Sequence, residues 1–314
     1  IRLKILNNLA NKTIHKNPKK SLAYILGGLQ LAERCKNQNH LFRFNYTYSK
    51  YLSHSSTIDS AILRLEKASS YLTQASNPEH RLGVLTLHAN FLKDQGDLSG
   101  ATKKYLEALK IAKKEQLVEV LVSCYFGLGT LFFSQKMYVE AISYNQKCLG
   151  LCDQLEPHRA TSCFGSTYSN LSKFYLKQKQ VDSAIYYGLK SIPFKEQSNN
   201  IRSLSFSYNA LALAYLRKKD TLSALVFFEK SLVSTKKIND FKNLFQTLTH
   251  VGKIHMSRKD IPKLKEVIVA LDSIVPKIQN PSVLINYYQV KRNYLELKKD
   301  YKNALGFVKK QFAM

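Results

Sequence analysis

The chain has 314 residues; 45% are hydrophobic, and 19 Tyr and 16 Phe are among them. This supply of apolar side chains is enough for a large core and excludes a disordered chain. The low counts of 12 Gly and 7 Pro argue against an all-β protein, whose many turns need these residues. Apolar runs fall short of the roughly 18 residues that a transmembrane helix needs, so no membrane-spanning segment is predicted.

The chain is strongly basic, with 48 Lys and Arg against 22 Asp and Glu and a formal net charge of +26. A body of this charge attracts polyanions, anionic lipid and acidic partners. The lysines are scattered through every segment, which is equally typical of a solvated surface. Charge alone therefore leaves both interpretations open.

A small or apolar residue recurs along the whole chain, at spacings of 40, 40, 40, 43, 40, 40 and 40 residues. The eight positions of this register are Ser21, Ala61, Ala101, Ala141, Ala184, Ala224, Leu264 and Ala304. A fixed period of this length is typical of repeat proteins, in which each repeat packs against its neighbours. The sequence thus predicts eight repeats in a single array over residues 1–314.

Each repeat has the pattern of two helices. The first helix carries aromatic, apolar and small residues at offsets of three, one and three, as in Tyr125, Leu128, Gly129 and Phe132. The second helix starts near the register position and continues at i, i+4 and i+7, as in Ala101, Tyr105 and Ala108. The sequence therefore predicts eight helical hairpins.

Good N-cap residues separate the two predicted helices in six repeats, namely Asn17, Thr57, Asp97, Asp220, Asp260 and Asp300. Met137 and Gln180 stand at the same position in the other two repeats. The insertion of three residues falls between these two repeats, and we expect an irregular joint near 153–162 with a wider loop over 155–162.

The repeated residues resemble the tetratricopeptide repeat (TPR). The resemblance is carried by Tyr125, Leu128, Gly129, Phe132, Tyr138 and Ala141, and by Leu92, Gly96, Asp97, Ala101, Tyr105 and Ala108. It covers nearly the whole chain, although the usual TPR unit is shorter by about six residues. Units of this length look like those of Rap-type peptide receptors and of sensor arrays attached to bacterial histidine kinases or transcription regulators, and residues 17–37 are similar to the first repeat of such arrays.

The resemblance implies an all-α, right-handed α-solenoid of eight TPR-like hairpins that binds a protein or peptide and is not an enzyme. It also implies that this chain is the sensor or regulatory part of a longer bacterial signalling protein; the chain begins at Ile1, without a methionine. The periplasmic side of a membrane-anchored sensor is then the expected location, with the cytoplasm as the alternative.

Motifs for catalysis or metal binding are not evident. Gly127 and Gly129 lack the spacing and the Lys-Ser/Thr ending of a phosphate-binding loop, and His250 and His255 are five residues apart and diverge on a helix. Cys148 occupies a register position that Ala68, Ala108 and Ser231 fill elsewhere, which favours a small packing residue over a thiolate ligand. We predict no catalytic residue, no metal and no cofactor.

The stripe of the first helices beside the core is the expected binding groove, since the resemblance places it on the concave side. It offers amide groups, ammonium groups and aromatic rings, a combination suited to an acidic or C-terminal peptide segment. The predicted groove residues are Lys50, Asn90, Phe126, Phe133, Asn170, Lys173, Lys177, Asn209, Arg217 and Lys253. Within this set, Phe126 and Phe133 are predicted to form an apolar pocket beside the basic residues.

Three further hypotheses stay open. The basic turns between the helices favour a binder of nucleic acid or another polyanion, and a structural role in an envelope assembly needs no ligand at all. The last hairpin, if left uncovered, predicts self-association through its apolar face.

Overall fold

The computed structural model describes residues 1–55, 57–73, 76–278 and 281–312. Over these residues it contains sixteen α-helices, and none of the described residues lies in a β-strand. The predicted all-α class is therefore confirmed. The chain divides into two compact units, Ile1–Glu156 and Pro157–Met314.

The first unit contains eight helices in four hairpins. They are α1 (Arg2–Thr13), α2 (Pro18–Arg34), α3 (Gln38–Ser55), α4 (Ile58–Ser69), α5 (Pro78–Gln95), α6 (Leu98–Lys114), α7 (Val118–Ser134) and α8 (Tyr138–Leu149). A 3-10 helix follows at Cys152–Gln154. Odd-numbered helices are the first helices of their hairpins, and even-numbered helices are the second.

The second unit repeats this arrangement. Its helices are α9 (Pro157–Lys177), α10 (Val181–Gln197), α11 (Ile201–Arg217), α12 (Thr221–Lys237), α13 (Phe241–Ser257), α14 (Ile261–Ile274), α15 (Pro281–Leu297) and α16 (Tyr301–Phe312). A 3-10 helix, Val275–Lys277, lies between α14 and α15. Among the described residues, no helix is long and apolar enough to cross a bilayer.

The wider loop expected over 155–162 is not present. Helix α9 begins at Pro157 and runs for 21 residues, whereas α7 has 17. The inserted residues therefore extend a helix, because a proline is well tolerated in the first turn, where its missing N–H costs nothing. The boundary between the two units falls within 153–162; the irregular joint and the single array stay predictions.

The register positions explain how the hairpins pack. Ser21, Ala61, Ala101, Ala141, Ala184, Ala224 and Leu264 are each 0% exposed, and Ala304 is 4% exposed. Seven of the eight are small, so the first turn of the second helix can approach the first helix closely. Cys148, in α8, is also fully buried.

The predicted caps form. Side-chain oxygens of the cap residues accept hydrogen bonds from the backbone N–H three residues later, at Asn17, Thr57, Asp97, Asp220, Asp260 and Asp300. Met137 and Gln180 make no such bond. Each cap satisfies one backbone donor that the helix leaves free, so these residues fix where the second helix starts.

In six of the hairpins, the turn between the two helices contains a residue in the left-handed region. Lys136, Lys179, Lys219, Lys259 and Lys299 have φ between 55° and 65°, and Gly96 has φ 91° at the matching position. The N–H of the next residue bonds the carbonyl five residues back, for example Asp260 N to His255 O at 2.9 Å. This is a Schellman closure, which satisfies carbonyls at the end of the first helix.

Successive hairpins contact one another within each unit. In the first unit α2 contacts α3, α4 contacts α5, and α6 contacts α7, while α1 also contacts α3 and α5 contacts α7. In the second unit α9 contacts α11 and α13 contacts α15. The first helices consequently lie side by side in each unit, and this places their polar stripes next to one another.

Candidate functional site

A cleft runs along the first helices of the first unit. Its smaller part has a volume of about 220 Å³ and is lined by residues of α1, α3 and α5. The lining residues are Asn7, Asn11, Phe42, Arg43, Tyr46, Thr47, Glu79, His80 and Gly83. Three consecutive first helices thus contribute to one concave surface.

Hydrogen bonds across the helices hold this part together. Asn7 and Asn11 both donate from their Nδ2 atoms to Thr47 Oγ1, at 3.2 and 3.1 Å. Tyr46 donates its hydroxyl to Gly83 O at 3.3 Å, which ties α3 to α5. Burial raises the pKa of Tyr46 to about 12, so the phenol stays a neutral donor.

The larger part of the cleft has a volume of about 460 Å³ and is lined by residues nearer the C-terminal ends of the same three helices. It is lined by Asn11, Ile14, His15, Lys50, Ser53, His54, Leu87, Asn90, Phe91 and Asp94. Two residues of the predicted groove, Lys50 and Asn90, therefore line one cleft. Asp94 contributes a negative charge to the same surface.

Lys50 and Asn90 are both held in place by aromatic residues. The Lys50 ammonium lies 4.5 Å from the centre of the Tyr46 ring, and burial lowers its pKa. Asn90 accepts a hydrogen bond from the Tyr105 hydroxyl through Oδ1, at 2.6 Å. Because the carboxamide oxygen is engaged, the Asn90 amide group can offer its N–H donors to another molecule.

Two histidines meet at one end of the cleft. The rings of His15 in α1's C-terminal turn and His54 in α3 pack edge to face, with centroids 4.7 Å apart. Burial lowers the pKa of His54, and the neighbouring His15 lowers it further. The lowered pKa favours the neutral form of His54 near pH 7, and Lys50 contributes a positive charge to this part of the cleft.

The predicted aromatic residues lie on α7, also in the first unit. Phe126 and Phe133 are half-buried, and the Phe133 ring packs against Tyr138 with centroids 5.6 Å apart. The basic residues they were predicted to accompany belong to the second unit. That pairing stays a prediction.

In the second unit, the predicted groove residues of α9 are Asn170, Lys173 and Lys177. Asn170 is half-buried and the two lysines are exposed. Burial of part of its side chain lowers the pKa of Lys173, and the nearby charge of Lys177 lowers it further. The two ammonium groups therefore interact, as expected for residues one helical turn apart.

The remaining predicted residues lie on α11 and α13, and each forms a hydrogen bond with a neighbouring first helix. Asn209 Nδ2 donates to Thr247 Oγ1 at 2.9 Å, and Lys253 Nζ donates to Asn286 Oδ1 at 2.8 Å. Arg217 Nη1 donates to the carbonyl of Leu176, at the end of α9, at 3.3 Å. These side chains form a polar surface over α9, α11, α13 and α15, and each already serves as a link between repeats.

Sequence reasoning missed the contribution of α1 to the cleft. The predicted groove residues begin with Lys50 in the second repeat, and Ala10, which matches Lys50 in the first repeat, is fully buried. Asn7 nevertheless lies 40 residues before Thr47, at the same position of the repeat. That spacing was the signal that could have placed Asn7 and its neighbour Asn11 in the groove.

Comparison with known proteins gives a consistent result for the fold. No protein-family model matches the sequence, and the search of curated proteins finds no match. The apo form of RapI is similar in structure, with a TM-score of 0.76 and 13% identity over 99% of this chain and 85% of that one. A Rap protein complexed with Competence and Sporulation Factor has a TM-score of 0.58 and 13% identity, over 99% of this chain and 96% of that one.

A third similar structure is the Signal Transduction ATPase with Numerous Domains protein with a tetratricopeptide repeat sensor from Pyrococcus horikoshii. Its TM-score is 0.80 at 14% identity, over 99% of this chain and 47% of that one. The chain thus spans about half the length of that protein. Hairpins of 40 residues, buried small residues at the register positions and these structural matches agree, and the chain is a TPR-like helical-repeat protein.

Proposed function

We propose that the chain is a non-enzymatic binding module that holds an extended polypeptide segment on the first-helix surface, as the regulatory part of a bacterial signalling protein. The observation that carries this proposal is the cleft in the first unit. It is formed by three successive first helices and presents Lys50 and Asn90 beside apolar Leu87 and Phe91.

The chemistry of the cleft suits a peptide with a carboxylate. An extended backbone needs donors and acceptors at regular intervals, which the Asn11, Asn90 and Ser53 side chains can supply. The Lys50 ammonium is partly desolvated, so an ion pair with a carboxylate is stronger there than at the surface. Asp94 disfavours a second carboxylate nearby and so favours one defined register.

The similar structures support a regulatory role. One is a complex with Competence and Sporulation Factor, and another belongs to a signal transduction ATPase that has a tetratricopeptide repeat sensor. Both descriptions concern those proteins. They make binding and sensing the role that we propose for the first-helix surface of this chain.

The second unit supplies a second contact region in this proposal. Lys173, Lys177, Arg217 and Lys253 provide positive charge along its first helices, with Asn209 as an amide group among them. An acidic segment would bind these residues of the second unit, and a short C-terminal peptide would bind the cleft of the first unit.

The test is peptide display on the immobilised chain 1–314, followed by fluorescence polarisation with the selected peptide. We expect acidic or C-terminal sequences to be enriched. Since a charge-assisted hydrogen bond is worth about 1.5–3 kcal/mol, Lys50→Ala should weaken binding by about ten- to a hundredfold.

Lys110→Ala, which removes an exposed lysine from the second helix α6, is the matched control and should leave affinity unchanged. Lys173→Ala with Lys177→Ala tests the second unit in the same assay. If the selected peptides bind equally well after Lys50→Ala, Asn90→Ala and the double lysine change, the first-helix surface is not the binding site.

A further inference from the structure

The second unit has an edge where the turns between first and second helices lie together. We call it the turn edge and define it by residues 177–180, 217–220, 257–260 and 297–300. Every first helix runs in the same direction through the stack of hairpins, so all four turns lie on the same side of the unit. Lys177 and Arg217 belong both to the turn edge and to the first-helix surface of the proposed function; the other residues of the turn edge lie outside that surface.

Contacts between neighbouring turns support this placement. Arg217 Nη1 reaches the carbonyl of Leu176, and Lys218 Nζ reaches Asp182 Oδ1 at 2.7 Å, so the first two turns are adjacent. Asn293 Nδ2 lies 3.1 Å from Met256 Sδ, which joins the ends of α15 and α13 beside the last two turns. Neighbouring turns are therefore adjacent at each end of the turn edge.

This edge is highly basic. The four turns carry nine Lys and Arg against three acidic residues, and all nine basic residues are exposed. The basic residues are Lys177, Lys179, Arg217, Lys218, Lys219, Arg258, Lys259, Lys298 and Lys299. The three carboxylates, Asp220, Asp260 and Asp300, each bond a backbone N–H at a helix start. They are thus partly neutralised by the helices that they cap.

The backbone fixes one lysine at the same place in every turn. Lys179, Lys219, Lys259 and Lys299 have φ of 65°, 65°, 55° and 61°. Because each turn is closed by the same backbone hydrogen bonds, these lysines form a regular row and do not depend on a flexible loop for their spacing.

Large apolar side chains are exposed beside this row. Leu222 is 67% exposed at the start of α12, and Tyr301 is 66% exposed at the start of α16. Leu297, 37% exposed, is the first residue of the last turn. Single exposed apolar side chains are common on protein surfaces, but here they adjoin a row of lysines, so the same edge offers both charged and apolar groups to another molecule.

A cleft opens at the same edge. It has a volume of about 540 Å³ and lies between the last two turns. Its lining includes Lys259 from the row of lysines and the exposed apolar residues Leu297 and Tyr301. Met256, near the end of α13, also lines it. Glu296, also in the lining, is paired with Arg292 at 3.5 Å.

From this combination we infer that the turn edge of the second unit docks on the surface of an anionic lipid bilayer. Lysines and arginines are attracted to phosphate and carboxylate headgroups, and leucine and tyrosine side chains gain by entering the interface between headgroups and acyl chains. An anionic bilayer would therefore contact both the basic residues and the exposed apolar side chains of the turn edge. A nucleic acid would use the lysines but would leave Leu222 exposed to water.

The experiment is co-sedimentation of the chain 1–314 with vesicles at physiological salt. One set of vesicles is pure phosphatidylcholine, and the other contains equal parts of phosphatidylcholine and phosphatidylserine. We expect binding to the second set only, weakening as salt is raised. Lys219→Glu with Lys259→Glu should reduce binding by at least about tenfold, since each lysine contributes to attraction at the membrane surface.

Lys236→Glu with Lys237→Glu is the matched control. It makes the same change of charge at the far end of α12, away from the turn edge, and both lysines are exposed. This variant should keep most of the binding. Leu222→Ser with Tyr301→Ser changes no charge and should weaken binding to the anionic vesicles, while circular dichroism checks that the helices remain.

A duplex oligonucleotide in the same assay distinguishes the other polyanion. Binding to the oligonucleotide with none to anionic vesicles would overturn the inference, as would equal losses in the Lys219/Lys259 and Lys236/Lys237 variants. These results do not bear on peptide binding to Lys50 and Asn90, so the two proposals fail independently.

Discussion

Asn7 in α1 donates a hydrogen bond from Nδ2 to Thr47 Oγ1 in α3, at 3.2 Å, across a separation of 40 residues. The two residues hold the same position in successive repeats, and both are buried. The bond therefore links equivalent turns of neighbouring hairpins at the floor of the cleft. Asn209 and Thr247 make a similar link in the second unit, at 2.9 Å.

Removing the Asn7 side chain should loosen the first hairpin. A buried hydrogen bond contributes about 1 kcal/mol to stability, and we expect Asn7→Ala to lower the free energy of unfolding by about 1–2 kcal/mol. Hydrogen–deuterium exchange should show faster exchange in α1 than in α5. Asn8→Ala changes an exposed residue of the same helix and should have little effect; equal effects of the two substitutions would argue against the structural role of this bond.

Two adjacent glycines in α2 should respond in opposite directions to alanine. A Cβ on Gly27 meets no described atom within 4 Å, whereas a Cβ on Gly28 would overlap the ring of Phe44, which is fully buried. Gly27→Ala should stabilise the protein by about 0.5–1 kcal/mol because alanine favours the helix. Gly28→Ala should destabilise it by about 1–3 kcal/mol through overpacking. Urea unfolding measures both, and the same sign for both would contradict this packing.

The missing cap at α10 can be restored. Gln180 has φ −86° and ψ 77°, close to the φ −86° and ψ 83° of the capping residue Asp220, but it makes no cap hydrogen bond. Gln180→Asp should therefore stabilise α10 by about 1 kcal/mol, seen as slower hydrogen exchange in its first turns. Gln178→Asp places the same charge at the C-terminal end of α9, where the helix dipole disfavours it, and should give no gain.

Caps of this kind should also make stability sensitive to acid. Hydrogen bonds from Ser223 hold the pKa of Asp220 below its usual range. The contribution of the Asp220 carboxylate to stability is thus fully present above the pKa that this group has in the unfolded chain. It is lost as pH falls through the lower pKa of the folded protein. We expect Asp220→Asn to be less stable than the parent chain at pH 7 and to approach it at low pH. A difference that is constant with pH would contradict this contribution.

Lys195 should make the stability of the folded chain depend on pH in the alkaline range. It is 6% exposed and donates to Ser169 Oγ, Ser207 Oγ and the carbonyl of Ser203, all of them neutral acceptors. Burial lowers its pKa from 10.5 to about 8. Since the unfolded chain holds this proton more tightly, folding becomes more favourable as pH rises from about 8 towards 10.5, by an amount of the order of 3 kcal/mol.

The measurement for Lys195 is the urea midpoint between pH 7.5 and 10.5, compared with that of Lys195→Met. The methionine keeps most of the volume and removes the titrating group, so other lysines and tyrosines cancel in the comparison. The parent chain should gain stability relative to the variant as pH rises. Parallel curves would show that Lys195 titrates normally.

The repeat itself could be derived from the sequence. A 40-residue spacing of small residues, from Ser21 to Ala304, was enough to predict hairpins, because close helix packing requires a small side chain at a fixed place. Asn17 and Asp260 could be assigned as caps for a similarly local reason: a side chain three residues from a free N–H is limited to a few geometries. Even the uncapped positions, Met137 and Gln180, followed from residue type alone.

The parts that sequence could not give depend on contacts between repeats. The inserted residues near Pro157 extend α9. The sequence could not show this, because a proline is compatible both with a loop and with the start of a helix. Placing Asn11 beside Lys50 required knowing how α1 packs against α3. The periodicity also did not predict the row of lysines with positive φ. The backbone conformation of Lys219 is set by the hydrogen bonds that close the turn and not by its side chain. The sequence by itself determined the repeat and the starts of its capped second helices, which are local properties. Only the tertiary structure decided which polar and charged groups share a surface, since that depends on how hairpins stack.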